Sequence, residues 1–234
     1  MFIKICANKN LADAQLAAEL GADAVGFVFA PSKRQVTAEQ VAAITPHLPG
    51  NVAKIGVFAT QDAQEIAAAT QAAGLSGVQL HHEPRPALIE ELNRAFEGRI
   101  QLIQVVSYPI DAADRAAADE QFSLALGTAL AMPAISAVLV DAARGGVSGG
   151  LGVAFDWKVV ADLVRSAYAS AQRTGHKLPK LIVAGGLRAE NVPEAIATFR
   201  PWGVDVASGV ESEPGTKNPQ RLREFLTAAR RHSA

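Results

Sequence analysis

The chain has 234 residues, of which 49% are hydrophobic and 19% charged, and this composition excludes an intrinsically disordered protein. The formal net charge of −1 offers no basic excess to neutralise a run of phosphates, which argues against nucleic acid as a partner. A single cysteine excludes a disulfide framework and a cysteine-based zinc site. No apolar run reaches the ~18 residues of a membrane span, so we expect a cytoplasmic protein without a membrane partner.

Eight short apolar runs rich in β-branched residues recur along the chain, and most of them lack the polar alternation of a half-exposed strand. Such runs are typical of parallel strands that are buried on both faces. The predicted strands comprise residues 2–6, 24–29, 53–58, 77–80, 100–106, 135–141, 180–184 and 203–207.

Longer, alanine-rich amphipathic stretches separate these runs and predict helices. Thr37 is a suitable N-cap for one of them, and Gly21 follows the end of another, where helices commonly stop. The predicted helices comprise residues 10–20, 37–47, 62–73, 85–96, 116–131, 156–171, 190–199 and 219–231.

Strand and helix thus alternate eight times in units of about 29 residues, close to the ~30 residues that a βαβ unit requires. This pattern predicts an α/β fold with a single domain over residues 1–234. That domain is a (β/α)₈ TIM barrel of eight parallel strands with outer helices. An open doubly wound sheet is the alternative, but it calls for a Gly-x-Gly-x-x-Gly turn after the first strand. Cys6-Ala7-Asn8-Lys9-Asn10 stands there instead.

Glycines cluster after the sixth, seventh and eighth predicted strands, at the end of the barrel where active sites lie. Backbone N–H groups approach an anion closely where side chains are absent. We therefore predict a phosphate site formed by Gly185, Gly186, Ser208 and Gly209, with tight turns alone as the alternative. The glycine-rich segment 145–152 is a candidate mobile lid.

Two residues at strand ends are candidates for acid–base chemistry. Cys6 ends the first strand, and Lys4 lies on the same face of that strand. Positive charge nearby lowers a thiol pKa and makes the thiolate a general base, whereas core filling is the alternative. Asp141 ends the sixth strand, where partial burial would make it a proton donor and an Asx turn is the alternative.

Polar residues on other strands and loops are candidates for substrate contacts. Arg34 follows the second strand and suits a bidentate pair with a substrate carboxylate, although most surface arginines are simply solvated. His81 fits a structural or substrate-lining role better than a catalytic one, and His82 is the weaker candidate. Asp205 lies within the eighth strand, where a carboxylate needs a partner, and we interpret it as a supporting residue.

Short motifs are spread in order along nearly the whole chain. They are Lys4-Ile5-Cys6, 21–29 with Ser32 and Arg34, 56–58, 78–81, Gly149-Gly150 with Gly152, 155–157, 184–187 with Asn191-Val192, and 204–211. Together they resemble the phosphoribosylanthranilate isomerase family. The resemblance implies an aldose–ketose isomerase, an intramolecular oxidoreductase of tryptophan biosynthesis. Its reaction is the Amadori rearrangement of N-(5-phosphoribosyl)anthranilate to 1-(2-carboxyphenylamino)-1-deoxyribulose 5-phosphate.

The resemblance also implies roles for individual residues. The family's acid corresponds to Asp141 and protonates the furanose ring oxygen, so that the ring opens to a Schiff base. The family's base corresponds to Cys6 and removes the proton from C2, and the enolamine then tautomerises to the ketone. The family's arginine, here Arg34, holds the anthranilate carboxylate. His81, Gly150 and Gly152 belong to motifs that contact the substrate, and the reaction requires no metal and no cofactor.

Four positions depart from the family's motifs. Ala7 and His82 replace glycines, Leu151 replaces a threonine and Asn218 replaces an aspartate. Ala7 matters only if the backbone there has a positive φ. Leu151 removes a hydroxyl that binds phosphate or orders its loop, so it affects rate and substrate range more than reaction type.

Two alternatives remain open from the sequence. One is a paralogous sugar-phosphate isomerase, although the histidine-pathway aminoaldose isomerase uses two aspartates and this chain has Cys6 at the first position. The other is a non-catalytic barrel that binds a phosphorylated metabolite, against which the presence of both Cys6 and Asp141 argues. The sequence is compatible with a monomer and with a homodimer.

Overall fold

The computed structural model describes residues 1–144, 147–148, 157–173, 175 and 177–232. Within these residues, eight strands pair side by side in parallel. They are β1 (Phe2–Ile5), β2 (Ala24–Val28), β3 (Ala53–Phe58), β4 (Gly77–Leu80), β5 (Gln101–Pro109), β6 (Ala137–Arg144), β7 (Lys180–Val183) and β8 (Gly203–Val206). Because β1 pairs with both β2 and β8, and β5 pairs with β6, the sheet closes on itself. The predicted TIM barrel is confirmed, and the open doubly wound sheet is excluded.

Helices alternate with these strands and form the outer layer. They are α1 (Leu11–Glu19), α2 (Ala38–Ala42), α3 (Ala63–Ala72), α4 (Pro86–Ala95), α5 (Arg115–Leu130), α6 (Trp157–Gln172), α7 (Val192–Phe199) and α8 (Pro219–Arg231). Short strands at Val147–Ser148, Glu211–Glu213 and Thr216–Lys217 lie outside the barrel ladder. Of the helices described, none combines the length and the hydropathy needed to cross a bilayer.

The predicted helix 37–47 is shorter than expected. It begins as predicted, because the Thr37 side chain accepts from the Gln40 N–H and the Gln40 side chain accepts from the Thr37 N–H. The α-helix then ends at Ala42, and a separate 3₁₀ turn occupies Thr45–His47. Pro46 accounts for the break, since proline has no N–H to donate and disfavours helical geometry in the residue before it.

The strands divide their side chains between two cores. One set packs against the outer helices, and the other fills the barrel interior, as the two-residue period of a strand requires. Apolar residues fill part of that interior, among them Ile55, Ile103, Leu139 and Ile182. Polar side chains are also fully or nearly fully buried in the barrel strands, and these belong to the site described below.

The helix interior of α5 yields a prediction about stability. Gly127→Ala is expected to raise the free energy of unfolding by about 1 kcal/mol, because glycine is a poor helix former and a Cβ there meets no other atom within 4 Å. Urea denaturation measures the change. Gly21→Ala is the matched control. A Cβ at Gly21 has equal space, but its φ of +94° disfavours alanine, so that variant should lose stability. Equal effects of the two substitutions would contradict the prediction.

Candidate functional site

A cavity of about 220 Å³ opens among residues at the carboxyl ends of the strands. Eight predicted site residues line it: Cys6, Arg34, His81, Asp141, Gly185, Gly186, Ser208 and Gly209. Two further predicted residues, Gly150 and Gly152, lie outside the described residues, as does most of the candidate lid 145–152. The cavity therefore lies at the end of the barrel where the chemistry of this fold takes place.

Lys4 and Asp205 form an ion pair inside the barrel, next to Cys6. Lys4 has no solvent exposure, and its Nζ lies 2.9 Å from Asp205 Oδ1 on the adjacent strand β8. Gly26 of β2 provides the space for this arrangement, because a Cβ there would lie 2.7 Å from Cys6 Sγ and 3.1 Å from Lys4 Nζ. Cys6 Sγ and Lys4 Nζ therefore both lie against the backbone of Gly26. The sequence-based interpretation of Asp205 as a supporting residue matches this geometry.

Opposing effects act on the Cys6 thiol. Burial raises its pKa, since desolvation disfavours the thiolate, and the negative charge of Asp205 acts in the same direction. The positive charges of Lys4 and Lys217 oppose this rise, but the net pKa stays above the ordinary value. Burial by itself would lower the pKa of Lys4, yet Asp205 and Cys6 together hold that pKa above its ordinary value. Lys4 is therefore a permanent cation beside the sulfur.

Glu211 connects Arg34 to a second buried lysine. Its carboxylate accepts from Arg34 Nε at 3.0 Å and Nη2 at 2.7 Å, and from Lys217 Nζ at 3.2 Å. Burial alone would raise the pKa of Glu211, but its hydrogen bond with Arg34 and the charge of Lys217 hold that pKa below its ordinary value. Glu211 occupies one edge of the guanidinium. The edge that carries Nη1 is thus the one available for a ligand at the cavity wall.

The turn after β1 explains why the departure at Ala7 matters. Ala7 has a φ of 63°, in the left-handed region where an alanine costs about 1–2 kcal/mol relative to its usual conformations. The preceding carbonyl, that of Cys6, accepts a hydrogen bond from Lys217 Nζ at 2.5 Å. His82 differs, because it is not among the described residues with positive φ, and its position does not require glycine.

The prediction that the sixth strand ends at Asp141 is wrong, because β6 runs from Ala137 to Arg144 and pairs with β5 as far as Ala143. Asp141 is 7% exposed and lines the same cavity as Cys6. One of its carboxylate oxygens, Oδ1, accepts from the N–H of Ala142 at 2.7 Å. In the ring of strands, β8 neighbours β1 and β7 neighbours β6. The loops after β7 and β8 therefore lie between Cys6 and Asp141.

Those two loops approach each other very closely. A Cβ on Gly209 would lie 1.9 Å from the carbonyl oxygen of Leu187, so only glycine fits there. Gly185 and Gly186 have φ values of 88° and 64°. Ser208 and Gly209 begin a 3₁₀ turn, and the first N–H groups of a helical turn have no acceptor within it. This arrangement suits an anion such as phosphate.

Three residues of the site were not singled out by sequence reasoning. Glu211 is the last residue of the motif 204–211, and Lys217 immediately precedes the departure at Asn218, but nothing in the sequence indicates that Glu211 pairs with both Arg34 and Lys217. Gln79 lines the cavity, and its buried Oε1 has no hydrogen-bond partner among the described residues. The two-residue period of a strand would have placed Gln79 on the same face as His81. Asn218, a departure from the family, caps α8 by accepting from two backbone N–H groups, as aspartate would.

Comparisons with known proteins agree over the full length of the chain. The family model described as N-(5′phosphoribosyl)anthranilate (PRA) isomerase matches residues 3–228. An N-(5′-phosphoribosyl)anthranilate isomerase from Listeria welshimeri is 36% identical over 231 residues, covering 98% of each chain. A crystal structure of monomers generated from the dimeric phosphoribosylanthranilate isomerase of Thermotoga maritima has a TM-score of 0.76 at 31% identity, with 98% of each chain covered. A crystal structure of phosphoribosyl anthranilate isomerase in complex with reduced 1-(o-carboxyphenylamino)-1-deoxyribulose 5-phosphate has the same TM-score, sequence identity and coverage.

The packing around Gly26 leads to a second prediction. Gly26→Ala is expected to lower the free energy of unfolding by about 1–3 kcal/mol, because the new methyl group overlaps Cys6 Sγ and crowds Lys4 in a closely packed interior. Gly50→Ala is the control, since a Cβ there meets nothing within 4 Å. Urea denaturation of both variants provides the measurement, and equal stabilities would show that the barrel has room beside the thiol.

Proposed function

The chain belongs to the N-(5′-phosphoribosyl)anthranilate isomerase family, and from this membership we propose how its own residues carry out the isomerisation. The proposed reaction is the Amadori rearrangement of N-(5-phosphoribosyl)anthranilate to 1-(2-carboxyphenylamino)-1-deoxyribulose 5-phosphate, in tryptophan biosynthesis. One observation carries the proposal. Cys6 and Asp141 line a single cavity, with the glycine loops after β7 and β8 between them.

Asp141 is the proposed general acid. Its carboxylic acid proton passes to the furanose ring oxygen, the bond between that oxygen and C1 breaks, and the anthranilate nitrogen forms a protonated Schiff base with C1. The positive charge on nitrogen makes the hydrogen on C2 acidic. The position of Asp141 supports this role, because its nearly buried carboxyl group lines the cavity that also contains Cys6.

Cys6 is the proposed general base. Its thiolate takes the proton from C2, and the electrons of the C–H bond form the C1=C2 double bond of an enolamine while the Schiff base nitrogen becomes neutral. Tautomerisation then yields the C2 ketone and a C1 methylene group. This chemistry requires the thiolate, so the cations beside the sulfur belong to the mechanism.

The remaining cavity residues bind the two charged ends of the substrate. Arg34 holds the anthranilate carboxylate through the guanidinium edge that carries Nη1, while Glu211 fixes the other edge. Backbone N–H groups in the loops of Gly185, Gly186, Ser208 and Gly209 hold the phosphate. Gln79 of β4 and His81, which follows it, line the same cavity. Gly150 and Gly152 remain predicted contributors from the loop after β6.

A single catalytic domain over residues 1–234 is proposed, with a small phosphorylated molecule as its ligand. A homodimer is one proposed assembly, because the related protein from Thermotoga maritima is described as dimeric. A monomer is the other. Sedimentation of the purified chain distinguishes them.

Substitution of the acid and the base tests the mechanism directly. Asp141→Asn and Cys6→Ser are each expected to lower kcat by about 10²–10⁴-fold, because each removes one proton transfer. The assay follows the loss of anthranilate-type fluorescence with freshly prepared phosphoribosylanthranilate. Calorimetry with reduced 1-(o-carboxyphenylamino)-1-deoxyribulose 5-phosphate should still show binding, which separates lost chemistry from lost folding.

Asp162→Asn, an exposed aspartate on α6, is the matched control and should keep the parental rate. Parental turnover by both site variants would overturn the assigned acid and base. Binding without turnover by the unmodified chain would instead support the non-catalytic barrel.

Arg34 gives a prediction about substrate affinity. Arg34→Lys is expected to raise KM about tenfold or more with little change in kcat, because an ammonium group cannot bind Glu211 and a carboxylate along two fixed edges. Steady-state kinetics measure both constants. Arg99→Lys is the control, since Arg99 is largely exposed and pairs with the equally exposed Glu97. A loss confined to kcat would contradict the proposed role in binding.

A further inference from the structure

We propose that Lys4 is a positioning residue for the isomerisation: its buried ammonium, oriented by Asp205, is the counter-charge that holds the Cys6 thiolate at the cavity wall. The inference rests on the proposed role of Cys6 as the base. It assigns to Lys4 a task that the substrate-binding residues do not perform.

The position of Lys4 favours action through Cys6. Lys4 is not among the residues that line the cavity, whereas Cys6 and Asp205 both are. Its side chain has no solvent exposure, so it cannot serve as a surface cation. A fully buried lysine is costly unless charged groups around it compensate for the lost hydration. Asp205 provides one such group at 2.9 Å from Lys4 Nζ. The sulfur of Cys6, when ionised, would provide a second.

The charges that act on the sulfur include two cations. Among the described residues, Lys4 and Lys217 favour the thiolate and Asp205 opposes it. Lys217 is also paired with Glu211, whereas Lys4 lies against the same point of β2 as the sulfur. Both lysines counteract the rise in the thiol pKa that burial causes, and Lys4 has the larger effect.

The other elements around the sulfur contribute fewer charges. Strand β2 presents Gly26 at this point, which has no side chain. His81 and Asp141 line the same cavity from β4 and β6. Asp205 opposes the effect of Lys4, because its charge destabilises a neighbouring thiolate while its hydrogen bond orients the ammonium. Removal of Lys4 and removal of Asp205 should therefore shift thiol ionisation in opposite directions.

Titration of the thiol tests the inference without any catalysis. Cys6 is the only cysteine, so thiolate absorbance in the ultraviolet, corrected with a Cys6→Ser sample for tyrosine, reports this group alone. Lys4→Met is expected to raise the titration midpoint by about 1–3 pH units, as loss of an adjacent opposite charge does. Asp205→Asn is expected to lower it. The rate of alkylation by iodoacetamide as a function of pH should show the same shifts.

Two further variants keep the test decisive. Lys4→Met leaves the Asp205 charge unpaired, whereas the double variant Lys4→Met/Asp205→Asn removes the whole ion pair. The titration midpoint of the Cys6 thiol in the double variant should still be higher than in the parent. Lys180→Met removes a lysine that lies over the Trp202 ring and outside this cavity, and its midpoint should equal that of the parent. Midpoints that are unchanged in both Lys4 variants would overturn the inference.

Activity distinguishes failure of this inference from failure of the proposed function. If Lys4 acts through the base, the pH profile of kcat/KM shifts with the thiol midpoint in each variant. A purely structural role for Lys4 would lower activity without moving that profile. A thiol midpoint that shifts while the kcat/KM profile stays in place would refute Cys6 as the base and leave the coupling between Lys4 and Cys6 intact.

Discussion

Compensation among buried charges is the constraint on which the functional end of this barrel depends. Lys4 and Lys217 have no exposed side-chain surface, and Asp205 and Glu211 have very little. Each buried ion loses several kcal/mol of hydration, and loss of one partner from such a pair commonly costs about 3–5 kcal/mol. The carboxylates and the lysines therefore hold one another in a single arrangement. Cys6 lies beside Lys4, and its carbonyl is bonded to Lys217, so the same arrangement positions the proposed base.

The strained turn at Ala7 persists because the backbone on both sides of it is anchored. The N–H of Cys6 donates to the carbonyl of Val206 at 2.8 Å, and the N–H of Asn8 donates to that of Gly26 at 2.9 Å. With Lys217 bonded to the intervening carbonyl, the left-handed φ is imposed whatever residue stands there. An alanine is strained at this φ and a glycine is not, which explains why the family usually has glycine at this position.

Much of the fold was predictable because its elements repeat. Strands buried on both faces produce unbroken apolar runs, and eight such runs separated by helices leave few architectures to consider. The predicted strand ends then indicated Cys6, Asp141 and the glycine loops, since the fold places active sites there, although β6 continues past Asp141 to Arg144. The predicted helix 37–47 is longer than the observed α2, because the apolar pattern continues past Ala42, where the helix ends ahead of Pro46.

The sequence alone determined the barrel, the end of it that bears the site, and the residues at the ends of its strands, because these depend on local periodicity and on a general rule of the fold. Only the tertiary structure decided which charges meet. Glu211 pairs with Arg34 across 177 positions of sequence, and Lys217 reaches the carbonyl of Cys6 across 211. No local pattern encodes such contacts, because they form only when closure of the barrel places the last strand beside the first.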